Sequence, residues 1–458
     1  MTDAPWRRDF PALQPRAGRP APVYLDSACM SLVPRSVLDA MEEYYRDFPG
    51  CAGRSIHRFA EEVGRRYEGA REAFGRFLGR ADPRGVVFLR NSTEAINLVG
   101  QGLPWQRGDR VLISDREHNS NLIVWQRLAA ERGIQLEILS LDDEGRLDPE
   151  ELERHLEHPV RLVSLFHTSN LDGTSLPVRE IAERAHARGA LVLIDGCQAA
   201  PHEPVDLVRL GIDFYALSAH KMLGPTGVGV LVSTPEALAE IRPLTVGGES
   251  VEWSTLDGHE LRAPPYRFES GLQNYAGAIG AHAALDYLHR VGFDAIQSQQ
   301  RKVNDLVSSE LQDEPRVHLL GPNDPARRPS VFAFTLDGID AHDAALFLDD
   351  GYRVMVRSGM HCVHSYYARR GIPGNVRASF YLYNDRHDAE TLVRGVRELL
   401  ERVPLHGSTG TSAARRVPVA PRASGRTRGV GSTGAAARSA RPPRRAGPGP
   451  AGSAAGFG

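Results

Sequence analysis

A chain of 458 residues, 41% hydrophobic and 24% charged, is long enough for two or three domains and has the composition of an ordinary globular protein. No apolar run approaches the ~20 residues that span a bilayer, and no signal-like apolar stretch follows the charges at the N-terminus, so a cytoplasmic protein with no membrane partner is expected. The net charge of −2 hides an asymmetry: nine arginines and no lysine or acidic residue follow Val403, which leaves the first 402 residues at about −11 and argues against nucleic-acid binding.

Residues 1–22 read as an N-terminal segment. Strands are expected at 86–89, 111–114, 136–139, 161–166, 191–194, 212–217 and 227–232, with helical stretches over 93–99, 122–132 and 178–188. Such alternation implies a mostly parallel α/β sheet flanked by helices, covering 23–270. After Ser270 the texture changes. A long Ala-rich helix over 275–289, strands at 331–336, 352–356 and 376–381, and helices over 341–349 and 388–401 describe a smaller α+β unit over 271–402. This unit includes the helix leading into it, and the N-terminal part of 23–270 is expected to contribute to it. Residues 403–458, rich in Pro, Gly, Ala and Arg, lack the apolar content to fold and are expected to be disordered.

The chemistry centres on Lys221, in Ser218-Ala219-His220-Lys221 directly after an apolar run. The strand before it ends in Asp195-Gly196-Cys197-Gln198. A carboxylate at one strand end and a lysine at the next suit pyridoxal 5′-phosphate (PLP): the carboxylate keeps the pyridine nitrogen protonated and the lysine forms the Schiff base. Ser92 and Thr93 open a helix after a strand, where free N–H groups and the helix dipole cradle a phosphate. His118 follows the next strand, where an imidazole can stack on a planar ring. Asn170 and Gln198 can hydrogen-bond the O3′ side of an aldehyde cofactor. Singly, each has a plainer reading as an N-cap, a structural histidine or a loop amide. Their joint order at successive strand ends, where open α/β sheets bind ligands, favours one site.

Through Tyr24-Leu25-Asp26-Ser27-Ala28, Asn91-Ser92-Thr93-Glu94-Ala95-Ile96-Asn97, Glu117-His118-Asn119-Ser120-Asn121, Asp195-Gly196-Cys197-Gln198-Ala199 and the run Phe214 to Lys221, the chain resembles the class V aminotransferase family of PLP enzymes. Within it the resemblance is to type II cysteine desulfurases of the sulfur-mobilisation kind, from about residue 23 to 402. It implies PLP fold type I, with a seven-stranded-type sheet plus a smaller α+β domain, in a homodimer. Lys221 is then the Schiff-base lysine, Asp195 the pyridinium partner and His118 the stacking ring, while Ser92, Thr93, Ser218 and His220 hold the phosphate. Cys362, in Arg357-Ser358-Gly359-Met360-His361-Cys362, matches the thiol that takes sulfur from L-cysteine as a persulfide, and Arg377 matches the group that binds the substrate carboxylate, with Arg357 and Asn170 beside it. A thiolate flanked by His361 and near Arg357 is expected to be more populated than a free thiol. A sulfur-acceptor protein in iron–sulfur assembly or thiolation would follow. Selenocysteine lyase, another C–S lyase, an epimerase or a non-catalytic sulfur carrier are the alternative readings.

Three departures mark the chain. Met360 stands where the family usually has a first histidine before the reactive cysteine. Leu272, in Glu269-Ser270-Gly271-Leu272-Gln273-Asn274, replaces a threonine that commonly reaches the neighbouring subunit's phosphate, so that contact is lost or moves to Ser270 or Gln273. Cys29 and Cys51 lie in the N-terminal region that borders the family's active site. They could form a redox pair, relay sulfur, bind a metal or a cluster with Cys362, or simply pack; no metal is expected. Four widely spaced cysteines argue against a disulfide framework.

Overall fold

A computed structural model describes residues 4–15, 18 and 20–404; the expectation for the basic tail falls outside the described residues. Seven strands make the larger sheet: β1 (Val86–Leu89), β2 (Arg110–Ser114), β3 (Gln135–Leu139), β4 (Leu162–Phe166), β5 (Leu191–Asp195), β6 (Phe214–Ser218) and β7 (Gly229–Ser233). Their order is β1-β7-β6-β5-β4-β2-β3. Only β7 runs antiparallel to its neighbours, β1 and β6; the other pairs are parallel.

Period-two side-chain alternation explains why these runs are apolar throughout. Val163 and Leu165, Val192 and Ile194, and Tyr215 and Leu217 face one apolar layer, while Leu162, Leu193, Phe214 and Ala216 face the other. A strand buried on both faces has no polar face to show. The polar residues therefore collect where the strands end, and the C-terminal ends of β1, β2, β4, β5 and β6 share one edge. That edge holds the candidate site.

A second sheet, β8 (Val317–Leu320), β9 (Val331–Leu336), β10 (Arg357–Gly359) and β11 (Asn375–Ser379), is antiparallel in the order β8-β9-β11-β10. Helices Phe293–Leu311, Ala341–Tyr352 and Arg386–Arg402 supply its core through Val307, Leu348 and Val396 against Phe332, Phe334 and Val376. Val23–Tyr24 pairs with Val354–Met355, so the chain's start is built into this second unit.

Several expectations shift. The helix Tyr275–Val291, expected with the smaller unit, puts Ile279, Leu285 and Leu288 into the core of the larger sheet. The strand expected at 352–356 is divided. Tyr352 ends a helix, Arg353 takes a left-handed φ of 56° that stops it, and Val354–Met355 and β10 then pair with different partners. Helices Arg35–Asp47, Arg58–Phe77 and Phe293–Leu311 add to the expected elements. Among the described residues no helix is long and apolar enough to cross a membrane.

Candidate active site

The first wall of the site is the turn from β1 into the helix Ser92–Gly102. Asn91 caps this helix through Oδ1, which accepts from Glu94 N at 3.0 Å. β7 passes so close that a Cβ at Gly229 would lie 2.3 Å from Asn91 Cα, so only glycine lets the helix start sit against the sheet. Ser92 N donates to Ser218 Oγ at 2.9 Å, and the two hydroxyls are 3.1 Å apart. Thr93 Oγ1 lies 2.7 Å from Ser120 Oγ. Hydroxyls from the ends of β1, β2 and β6 thus meet at one helix N-terminus.

His118 follows β2 and caps a short turn, with Nδ1 accepting from Ser120 N at 3.1 Å. Burial, with the Lys221 charge second, lowers its pKa to about 4, so the ring is neutral at pH 7. Asp195, Arg357 and Arg377 also act on it, which places four charges around one imidazole. His220 is likewise lowered to about 4, by burial and then Lys221. Asp195 ends β5, buried, with Oδ1 accepting from Cys197 N at 3.1 Å. Cys197 is buried behind it, and burial pushes its thiol up to about 12. The Lys221 ammonium has no hydrogen-bonded or ion-paired partner among the described residues.

These features fit PLP. An unpartnered cation, a helix N-terminus, a neutral flat ring and a buried carboxylate are what a phosphorylated pyridine aldehyde requires. Ser92, Thr93, Ser218 and His220 would hold its phosphate, His118 its ring face, Asp195 its ring nitrogen and Lys221 its aldehyde carbon. Gln198 is engaged elsewhere: its Nε2 donates to Ala28 O at 2.7 Å, tying the Asp26–Cys29 turn to the sheet edge.

Cys362 sits on a strained loop. His361 and Cys362 are consecutive non-glycine residues at φ 47° and 61°, each costing about 1–2 kcal/mol. The loop is pinned by Asn119 N, which donates to Cys362 O at 2.7 Å, and by Asn170 Nδ2, which donates to His361 O at 2.8 Å. Asn170 therefore positions the cysteine loop. Met360 joins the apolar cluster of Leu171, Val363 and Tyr367, which accounts for an apolar residue there.

The expected help from His361 is corrected. Its ring is turned away to Asn375, with Nε2 2.6 Å from Oδ1, and burial followed by the Arg377 charge lowers its pKa to about 3. A neutral His361 brings no positive charge to the thiol. Its Nδ1 is buried without a partner among the described residues. Arg357 remains, with Nη2 3.7 Å from Cys362 Sγ.

Arg377, 1% exposed, already uses both terminal nitrogens: Nη1 donates to Asn170 O at 2.6 Å and Nη2 to Asp26 Oδ1 at 3.1 Å. Burial outweighs the pairing on both sides, raising Asp26 and lowering Arg377. Asp26, Ser120 and Asn375 were not singled out by sequence, and neither was the contact of Cys29 with Arg357; the motifs around Asp26 and Ser120 carried a signal, and Asn375 had none. Leu272 is 72% exposed, Ser270 Oγ lies 2.7 Å from Thr245 Oγ1, and Gln273 Nε2 donates to Glu269 O at 2.6 Å.

His361 and His167 also set a pH dependence. Both are buried, and His167 is lowered to about 4 by burial alone. A histidine near 6.5 when unfolded and about 4 when folded contributes stability above pH 6.5 that is lost as pH falls toward 4. The stability difference between wild type and His167→Gln should shrink by on the order of 3 kcal/mol between pH 6.5 and 4. Denaturant melts at several pH values check this; a difference that stays constant would refute it.

The family model for aminotransferase class-V matches residues 23–392. A probable cysteine desulfurase of Streptomyces coelicolor is 38% identical over 399 residues, 85% of this chain and 95% of that protein. The apo cysteine desulfurase of Thermococcus onnurineus NA1 has a TM-score of 0.83 at 36% identity, over 88% of this chain and 99% of that one. A mutant of C-DES with glycine covalently linked to its PLP cofactor has a TM-score of 0.72 at 25% identity, over 85% of this chain and 98% of that one. With the strand-end polar set in place and this coverage, the chain belongs to the class-V aminotransferase family of PLP enzymes.

Proposed function

We propose that the protein is a PLP-dependent cysteine desulfurase that converts L-cysteine to L-alanine and receives the sulfur on Cys362 as a persulfide. The observation that carries this reading is the pinning of the Cys362 loop, by Asn119 and Asn170, onto the strand edge that holds His118, Asp195 and Lys221. When bound, PLP draws electrons from the carbon that bears the substrate amine.

The remaining steps belong to the chain. Arg377, with Asn170 beside it, orients the substrate carboxylate. Lys221 Nζ moves protons, because it is the one unpartnered ammonium at the site. Cys362 Sγ attacks the substrate sulfur: a sulfur–sulfur bond forms and the carbon–sulfur bond breaks. The electron pair stays with the amino acid, which takes up a proton to become alanine. His118 is held flat by Ser120 and neutral by burial, so it stacks without opposing the cation at Lys221.

We further read the enzyme as a cytoplasmic homodimer that serves a sulfur-acceptor protein in iron–sulfur assembly or thiolation. The support for a dimer is a set of exposed apolar side chains, Val246, Trp253, Leu256 and Leu272, on and near the hairpin Val251–Ser254/His259–Leu261. The units 23–270 and 271–402 are the proposed domains, with the helix Tyr275–Val291 bridging them.

Product analysis of PLP-loaded enzyme with L-cysteine and a reductant tests the reading. Equal alanine and sulfide, reduced roughly 10³-fold or more in Cys362→Ser, is the expected result. Pyruvate and ammonia, or turnover indifferent to the substitution, would move the protein to the lyase branch.

A further inference from the structure

We propose that Cys29 is a second sulfur-carrying residue, which takes the sulfane sulfur from Cys362 across the guanidinium of Arg357. The inference rests on the desulfurase reading above. It starts from one side chain with two sulfur partners. Arg357 Nη1 faces Cys29 Sγ in direct contact, and Nη2 of the same planar fork lies 3.7 Å from Cys362 Sγ. The two terminal nitrogens of a guanidinium are fixed side by side, so the two sulfurs they contact face the same small space.

Both cysteines are free thiols and both are half-buried. The other two lie elsewhere. Cys51 contacts Ala52 O and Tyr275, and Cys197 is buried against Ser218. Cys29 is also held in place. Its N donates to Asp26 O at 3.0 Å, Ala28 N donates to Ser379 Oγ at 3.0 Å, and Ala28 O accepts from Gln198. The turn Asp26–Cys29 is thereby fixed to β11 on one side and to the end of β5 on the other. The Cys29 thiol is near enough to act on the Asp26 carboxyl, favouring its charged form. Cys29 therefore has a carboxylate to accept its proton and a cation to face its sulfur.

The transfer balances without an oxidant or reductant. The Cys29 proton passes to Asp26, and Cys29 Sγ attacks the outer sulfur of the Cys362 persulfide. The Cys29–sulfur bond forms as the Cys362 sulfur–sulfur bond breaks, and Cys362 leaves with the electron pair and is reprotonated. Arg357 faces both the attacking and the leaving sulfur, so the negative charge passes from the sulfur that faces Nη1 to the sulfur that faces Nη2. Cys362 is then free for a second substrate while the first sulfur waits on Cys29.

The test uses the holoenzyme with excess L-cysteine and no reductant. Alanine is counted in the burst, and persulfides are alkylated and located by peptide mass spectrometry. The visible band of lysine-bound PLP confirms that each variant is folded and loaded. Wild type should release about two alanines per protomer and carry sulfur on both the Cys29 and Cys362 peptides, whereas Cys29→Ser should release about one and carry sulfur on Cys362 alone. Cys362→Ser should load neither peptide.

A wild-type burst of one with sulfur confined to Cys362 would overturn the relay and leave the desulfurase reading standing. So would sulfur on Cys29 in Cys362→Ser, which would make Cys29 a direct acceptor. A Cys29–Cys362 disulfide with released sulfide would replace the relay by a redox pair. No alanine and no sulfur anywhere in loaded wild type would remove the desulfurase reading itself, and the relay with it.

Discussion

Replacing Lys221 by alanine should lower alanine formation roughly 10³-fold or more while leaving the protein folded. Lys221 ends a short turn after β6, beside His220 and within the field felt by His118 and Cys197. It is the one ammonium at the sheet edge, and no partner among the described residues competes for it. On the proposed function, removing it would take away both the anchor for the PLP aldehyde and the group that moves protons. Because the side chain makes no structural hydrogen bond, its loss should cost little stability. Two measurements check this: loss of the visible band of lysine-bound PLP, and an unfolding midpoint close to wild type. Retention of more than about a tenth of the alanine output would remove Lys221 from its assigned role.

Glu269→Gln should destabilise the protein by about 2–3 kcal/mol, because it leaves the buried Arg71 cation with only the part-exposed Glu68, 2.9 Å from Nε, as counter-charge. Arg71 and Glu269 are 1% and 5% exposed and pair in a fork, Nη1 to Oε1 at 2.6 Å and Nη2 to Oε2 at 2.9 Å. Glu269 Oε1 also accepts from Phe88 N at 2.7 Å, and Oε2 accepts from Tyr67 OH at 2.9 Å. Arg71 Nη1 reaches Val86 O at 2.7 Å, and its guanidinium lies over the rings of Tyr67, Phe88 and Tyr266. The fork thus ties the helix Arg58–Phe77 to β1 and to the loop that carries Ser270, Leu272 and Gln273. An amide keeps the shape and removes the charge. Denaturant unfolding of Glu269→Gln, Arg71→Met and the double variant separates the pair from its surroundings, and the double variant should recover part of the loss. A single-variant cost under about 1 kcal/mol would show that the fork does not anchor this loop.

The parts legible in the sequence were those written locally. An apolar run followed by a polar residue marks a strand end, so His118, Asn170, Asp195, Ser218 and Lys221 could be placed on one edge before any contact was known. Where neighbours decide the outcome, local reading fell short. His361 adjoins Cys362 in the chain, yet its ring turns to Asn375 and burial keeps it neutral, which no local pattern shows. Gln198 reads as a cofactor ligand, and its contact with the Asp26–Cys29 turn, 170 residues away, could not be read locally. Helix Tyr275–Val291 followed the change in texture at Ser270 but packs backward onto the larger core. β7 reads like its parallel neighbours, since strand direction leaves no mark on a doubly buried apolar run.

By itself the sequence determined the parallel α/β framework and the polar residues at its strand ends, because both follow from periodicities spanning a few residues. Tertiary structure alone decided which distant groups face one another. Arg357 meets Cys29 across 328 residues, Arg377 meets Asp26 across 351, and Arg71 meets Glu269 across 198. Such pairings arise when two sheets and the chain's start pack together and exclude water from the charges between them. No local pattern encodes that closure.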